Sequence, residues 1–200
     1  MTTAILQTTY FGPVQWYQKL HRYDRCLIEQ HDSYQKQTYR NRCIIATANG
    51  VQALTVPVEH SSDKTLVKDL RISDHNQWRR VHWNALQSAY SESPFFEYYA
   101  DDIRSFFEKR YTFLVDFNEA IRQTVCQLID ICPNVEYTTE YIQEHPHDYR
   151  NTIHAKHPQP DSDFEPRPYW QVFQRRHGFL PNLSILDLLF CVGPESIFYL

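Results

Sequence analysis

The densest run of chemically competent side chains is Glu29-Gln30-His31-Asp32-Ser33-Tyr34-Gln35-Lys36-Gln37-Thr38-Tyr39-Arg40-Asn41-Arg42. Lys36, Arg40 and Arg42 have the makings of a side-chain phosphate clamp. A guanidinium grips two oxygens at once, and an ammonium acts as a point charge. Tyr34 and Tyr39, interleaved with them, can stack a base or sugar ring. The competing account is a solvated basic loop paired with acidic groups elsewhere. Glu29 and His31 are proton-transfer groups, and a period of two puts them on one side of a continuing strand. Ordinary strand-end polarity is the plainer account of both.

Two further constellations carry a chemical and a bland reading each. His177, Ser184 and Asp187 supply the residue types of a nucleophile triad. Ser184-x-x-Asp187 ahead of an apolar run is also a helix capping box, and the chain has no G-x-S-x-G elbow to expose a serine. His177 precedes Gly178 at a helix end, where a protonated imidazole is favoured, and it stays a candidate site residue. His145, His147, His154 and His157 crowd one loop at spacings that can chelate zinc. They have no cysteine partner and read better as polar filler, so no metal is expected.

Composition removes several function classes. Only 4 of 200 residues are glycine. No two lie close together, which excludes a P-loop and a G-x-G-x-x-G nicotinamide fingerprint. Any phosphate must be held by side chains or an ordinary helix N-terminus. The formal net charge of −4 argues against nucleic acid as a partner. Five scattered cysteines, Cys26, Cys43, Cys126, Cys132 and Cys191, contain no C-x-x-C pair. They read as small core residues of a reduced protein. Residues 1–9 do not look like a signal peptide. The longest apolar run, Ile185 to Val192, is too short to span a bilayer. A cytoplasmic location is expected.

The elements that must position these residues follow from periodicity. Ala4 to Leu6 reads as a strand, followed by an aromatic turn and a helix opening at Pro13. Arg25 to Glu29 is the next strand, so the start is a compact β-α-β unit with a parallel pair. Cys43 to Thr47 and Val51 to Val58 flank Ala48-Asn49-Gly50 as a hairpin, and Leu66 to Ile72 reads as a further strand. From Gln77 the period turns helical. Trp78, Val81, Ala85 and Ala89 share one face; Phe96, Tyr99, Ile103 and Phe106 the next; Leu114, Phe117, Ile121, Val125 and Leu128 a third. The aromatic residues of these helices are assigned mainly to the core. Val135 to Thr138 reads as a return strand. Residues 143–168 hold five of the eleven prolines and read as a long polar loop. Tyr169 to His177 and a stretch from Asn182 or Ser184 to Gly193 close the chain as helices. The expected fold is α/β in a single domain, 1–200. A small partly parallel sheet and a hairpin (1–75) pack with a helical half (76–132), the polar loop (143–168) and C-terminal helices (169–200).

Three blocks, in order, resemble the WbqC-like protein family. The first is Tyr10-Phe11-Gly12-Pro13 with Gln15, then the strand ending in Glu29-Gln30. The second is Tyr34-x-Lys36-Gln37-Thr38-Tyr39-x-Asn41-Arg42 with the Asn49-Gly50 hairpin and Leu54 to Val58. The third is Tyr169-x-Gln171-Val172-Phe173, then His177 through Asn182 to Asp187, Phe190 and Gly193. Trp83 and Tyr90-x-x-x-Pro94-Phe95-Phe96 also fit. The chain departs at Cys191, where the family pattern carries Asn. The resemblance implies a bacterial context of O-antigen and related surface-polysaccharide (lipopolysaccharide) assembly, and transfer of an amino acid such as glycine onto a sugar. It identifies no catalytic residue.

The expectation is a transferase that moves an acyl or aminoacyl group from an activated donor onto a sugar. His177, Glu29 and Asp187 are the catalytic candidates. Tyr10, Gln15, Gln30, His31, Tyr34, Lys36, Tyr39, Arg40, Asn41, Arg42, Gln171 and Asn182 are the binding candidates. The cofactor is left unknown. Two alternatives stay open: a nucleotidyltransferase-like sugar-activating enzyme, and a non-catalytic scaffold that meets partner proteins of a glycan-assembly complex.

Overall fold

A computed structural model describes residues 2–59 and 64–200. Strand β1 (Thr3–Gln7), helix α1 (Val14–Arg22) and strand β2 (Arg25–Glu29) form the opening unit. β1 and β2 pair in parallel with Ile5 opposite Leu27. β5 (Val135–Tyr137) joins the far side of β2, again in parallel, so the sheet order is β1-β2-β5. At the other edge a single bridge joins Ile5 to Asp148. The long polar loop therefore returns across the sheet rather than leaving it.

α1 lacks a cap of its own: Pro13 precedes it and offers no side-chain hydrogen bond. Its first free N–H groups are satisfied by Asn182 and Leu183, from the far end of the chain. Asn182 Oδ1 accepts from the Gln15 backbone N–H at 2.9 Å, and the Leu183 carbonyl accepts from Val14 N at 3.0 Å. This is an N-cap supplied in trans along the chain.

β3 (Arg42–Thr47) and β4 (Gly50–Thr55) form the expected hairpin, with Thr47 opposite Gly50. Positive φ falls on Gly50 alone, at 106°, and not on Asn49. β4 stops at Thr55, short of the expected Val58, because Pro57 cannot donate to a ladder. Leu66 to Ile72 is not a strand. It holds one 3-10 turn, Val67–Asp69, between isolated bridges of Leu66 to Ser33, Arg71 to Phe113 and Ile72 to Val58.

Three helices follow: α2 (Trp78–Tyr90), α3 (Phe96–Glu108) and α4 (Leu114–Leu128). α3 buries the expected face. α2 is rotated from the expected one. It buries Trp78, His82, Leu86, Ala89 and Tyr90, while Val81 is 52% exposed. The polar His82 goes inside because Tyr10 Oη meets its Nδ1 at 2.9 Å. α4 buries Leu114, Phe117, Ile121 and Val125 but leaves Leu128 half-buried. The C-terminal helices are α5 (Gln174–His177) and α6 (Ile185–Val192), followed by a 3-10 stretch at Gly193–Tyr199. α5 is half the expected length, since Tyr169 and Gln171 are drawn into other bonds described below.

The core runs from Ala4 to Leu200. Its centre is aromatic: Tyr10 lies 5.7 Å from Phe117 and 5.0 Å from Phe11, and Phe11 6.0 Å from Phe106. Burying each such side chain stabilises the fold by about 1.5–3 kcal/mol. No helix among the described residues is long and apolar enough to cross a membrane.

Candidate functional site

In an open α/β sheet the carboxyl ends of parallel strands are the usual place for a ligand. Here the chain's own charges fill that end. Glu29, last residue of β2, is 1% exposed. Its Oε1 accepts from His31 N (2.8 Å) and Thr138 Oγ1 (2.9 Å); its Oε2 accepts from Ile142 N (2.9 Å) and Arg150 Nη1 (3.3 Å). A carboxylate has about four lone-pair sites, and these four donors occupy those of Glu29. Gln30 Nε2 and His31 Nε2 both sit on the Thr138 carbonyl, at 2.8 and 3.2 Å. These three residues fasten β2 to the segment after β5.

Arg40 leaves the clamp that its spacing implies. It is 2% exposed and paired with Asp32 Oδ2 at 2.5 Å. Burial lowers its guanidinium pKa, and the Asp32 charge opposes that shift. Lys36 and Arg42 stay at the surface. With Tyr34, Gln37, Asn41, Thr55, Val58 and Glu59 they line a groove of about 400 Å³. The turn before β3 makes the groove: Gln37 takes a φ of 63° and Thr38 Oγ1 donates to the Gln35 carbonyl at 3.0 Å. Arg42 Nε is held by Thr55 Oγ1 at 3.1 Å across the hairpin. Asn41 Nδ2 donates to the Val56 carbonyl at 2.8 Å. The Tyr34 hydroxyl is raised in pKa by burial, against a hydrogen bond with Asn41 and the charges of Arg40 and Arg42. Two cations, one carboxylate, a phenol and two amides thus share one opening. That set can hold an anionic group and accept a proton beside it.

The other expected residues lie elsewhere. Tyr10 and Tyr39 are core, 0% and 7% exposed. Gln15 and Asn182 bond each other, Asn182 Nδ2 to Gln15 Oε1 at 2.9 Å. Gln15 Nε2 also donates to Asp161 Oδ2 at 2.8 Å, which Lys19 Nζ meets at 2.7 Å. His177 Nε2 lies 3.2 Å from the carbonyls of both Thr47 and Ala48 and ties α5 to the tip of the hairpin. Arg42 is at the opposite end of β3, and five steps of a strand put the two roughly 17 Å apart.

Asp187 is fully buried. It accepts from Tyr90 Oη (2.8 Å), Tyr169 Oη (2.6 Å) and Gln171 Nε2 (2.8 Å). Burial raises its carboxyl pKa, and those three donors oppose the rise. Gln171 also brackets Leu180, giving to its carbonyl at 2.9 Å and taking from its N–H at 2.8 Å. The capping box is half present. Ser184 Oγ accepts from Leu186 N at 3.3 Å, but Asp187 points to the tyrosines instead of back to Ser184. Spacing within the run from Glu29 to Arg42 does not reach Thr55, Val58 or Glu59, which come to the groove from the end of β4 and the residues after it.

Among the described residues no three His, Cys, Asp or Glu side chains cluster as a metal ion would need. His145 and His147 have ring centres 6.2 Å apart, and His154 and His157 5.6 Å. His154 Nδ1 is taken by the N–H groups of Lys156 and His157, both at 3.0 Å.

The model of the WbqC-like protein family matches residues 7–159, a span that contains every residue lining the groove. The chain belongs to that family. It is also 27% identical, over 222 aligned residues, to the Uncharacterized protein Rv1507c of Mycobacterium tuberculosis, covering 98% of this chain and 96% of that one. No solved structure matches. His177 and Asp187 lie beyond the family match, where the WbqC-like chain uses them as ties.

Proposed function

We propose that this WbqC-like protein is a transferase of bacterial surface-glycan assembly, moving an acyl or aminoacyl group from an activated donor onto a sugar. The observation that carries the reading is the groove. Four residues of one family block, Tyr34, Lys36, Asn41 and Arg42, meet there with Glu59. Lys36 and Arg42 hold the anionic end of the donor. The sugar amine or hydroxyl attacks the acyl carbon; the new C–N or C–O bond forms as the bond to the donor's leaving group breaks. Glu59 takes the proton of the attacking group, in place of Glu29, whose oxygens already hold four donors, and of His177, which sits at the other end of β3. The Tyr34 hydroxyl and the Gln37 amide face the carbonyl oxygen as its charge develops.

The test is complementation of a strain lacking its own copy, with the surface glycan weighed by mass spectrometry. Wild type restores the acyl increment. Lys36→Ala/Arg42→Ala and Glu59→Gln lose it while melting at the wild-type temperature, and His177→Gln keeps it. Normal glycan mass from the Lys36/Arg42 variant overturns the reading.

A further inference from the structure

Apart from that groove, α2 and α3 frame a second cavity of about 350 Å³ that shares no lining residue with it. One wall is aromatic: Trp83, half-buried, lies 5.9 Å from Phe107 at a tilt of 40°. Arg79, Arg80 and Arg104 stand around it, with Glu108 as the carboxylate on its lining. We propose that this cavity binds a nucleoside phosphate, with the base against Trp83 and Phe107 and the phosphates on the three arginines.

The arginines differ in how they are held, and the difference points to an anion. Arg79 is fixed. Its guanidinium lies 4.5 Å over the Trp78 ring, and Nη1 is 2.5 Å from Asp74 Oδ1. Its Nε is buried with no acceptor among the described residues. A buried N–H without an acceptor is unfavourable, so the Asp74 pair does not satisfy this guanidinium in full. Arg80 is exposed and makes no ion pair among the described residues. Arg104 is paired with Glu108 at 2.7 Å, but both side chains are more than half exposed. A pair of that kind contributes little and is readily redirected to a better anion.

The surroundings agree. The chain as a whole carries −4, yet three guanidiniums gather at this one opening. The first turn of α2 has no acidic residue and no side-chain cap, so its N–H groups add to the positive side of the cavity. Gln77 on the lining and Asn76 before it hold φ of 47° and 63°. Two successive left-handed non-glycine residues fix the entry to α2 before any ligand arrives. An aromatic wall gives every base a surface to stack on, and guanidiniums match phosphate oxygens in pairs. With no glycine loop in the chain, side chains and an ordinary helix N-terminus are the means left for holding phosphate.

Isothermal titration of the full chain with ADP, UDP, adenosine and inorganic pyrophosphate tests this. A nucleoside diphosphate should bind at least tenfold tighter than adenosine or pyrophosphate. ADP should move the indole N–H resonance of Trp83 but not that of Trp170, which lies on another face. Arg80→Ala/Arg104→Ala should weaken binding at least tenfold. Both side chains are exposed, and an unchanged melting temperature confirms that the fold survives. Three results overturn the proposal: neither diphosphate binding at millimolar concentration, pyrophosphate binding as tightly as ADP (an anion patch only), or unchanged affinity in the double variant. None of them bears on the Lys36–Arg42 groove, so this proposal and the transferase reading fail separately.

Discussion

Replacing Asp187 by alanine separates a tie from a catalyst. In the wild type its carboxylate is buried and takes three donors, from Tyr90, Tyr169 and Gln171. Asp187→Ala leaves Gln171 Nε2 with the Leu180 carbonyl but strips both hydroxyls of their acceptor. An unpaired buried hydroxyl costs about 1–3 kcal/mol, so two cost roughly 2–6. Relief from burying a charge offsets part of this, and a net loss of about 2–3 kcal/mol is expected. In a Tyr90→Phe/Tyr169→Phe background no hydroxyl is left to orphan. The charge is then supported by Gln171 alone, so Asp187→Ala there should be neutral or stabilising. The sign with pH follows from the raised carboxyl pKa. Protonated Asp187 stabilises the fold below the unfolded value near 4, and that contribution is lost as pH rises through the folded value. Urea unfolding followed by circular dichroism at pH 4 and 7 measures all of this. A wild-type-background cost below about 0.5 kcal/mol, or equal costs in the two backgrounds, refutes the reasoning.

Two further predictions concern buried groups. Burial lowers the His82 pKa to about 4. Its stabilising contribution is therefore full above the unfolded value near 6.5 and is lost as pH falls from there to about 4, roughly 3 kcal/mol in all. His82→Gln should flatten that slope in urea midpoints, and an NMR titration of the ring with a midpoint above 6 would contradict it. Among the cysteines only Cys132 is exposed, while burial pushes Cys26 up to about 12 and Cys126 up to about 11. One thiol should react quickly with a chromogenic disulfide in the native protein and none in Cys132→Ser; a second fast thiol sinks this.

The parts of the fold that the sequence made legible are those set by local period. The β1-α1-β2 unit, the Asn49-Gly50 hairpin and the face of α3 need only nearest-neighbour pattern and turn chemistry. Misreadings occur where a distant polar group decides. His82 lies off the face that periodicity assigns to α2, and Tyr10 Oη, 72 positions away, gives it a buried partner. α5 is short because Tyr169 and Gln171 serve Asp187 and Leu180. In the site, Tyr34, Lys36, Asn41 and Arg42 were legible as one polar block. Arg40 was grouped with them, and the structure places it apart, buried on Asp32. Its position just before β3 turns it toward Asp32, and no spacing rule covers a turn containing a residue like Gln37 with positive φ. Glu59 was illegible for another reason: it lies beyond the end of β4, where its N–H bonds the Arg71 carbonyl at 2.9 Å.

The segment that the family model matches does not close its own fold. All the residues of the groove lie within 7–159, yet that segment lacks the parts that close its own fold. Asn182 caps α1, and Ser184 donates to the Phe11 carbonyl at 2.8 Å. Leu186, Leu188, Leu189 and Phe190 of α6 are each fully buried. Three polar residues beyond 159 serve that closure: His177 holds the hairpin tip, Asn182 caps α1 and Asp187 gathers Tyr90, Tyr169 and Gln171. Chemistry needs the reverse: polar groups on a surface opening with bonds still to make. Lys36 and Arg42 satisfy that condition because the turn before β3 is braced by the backbone (Thr38 on Gln35, Asn41 on Val56) and not by its own charged ends.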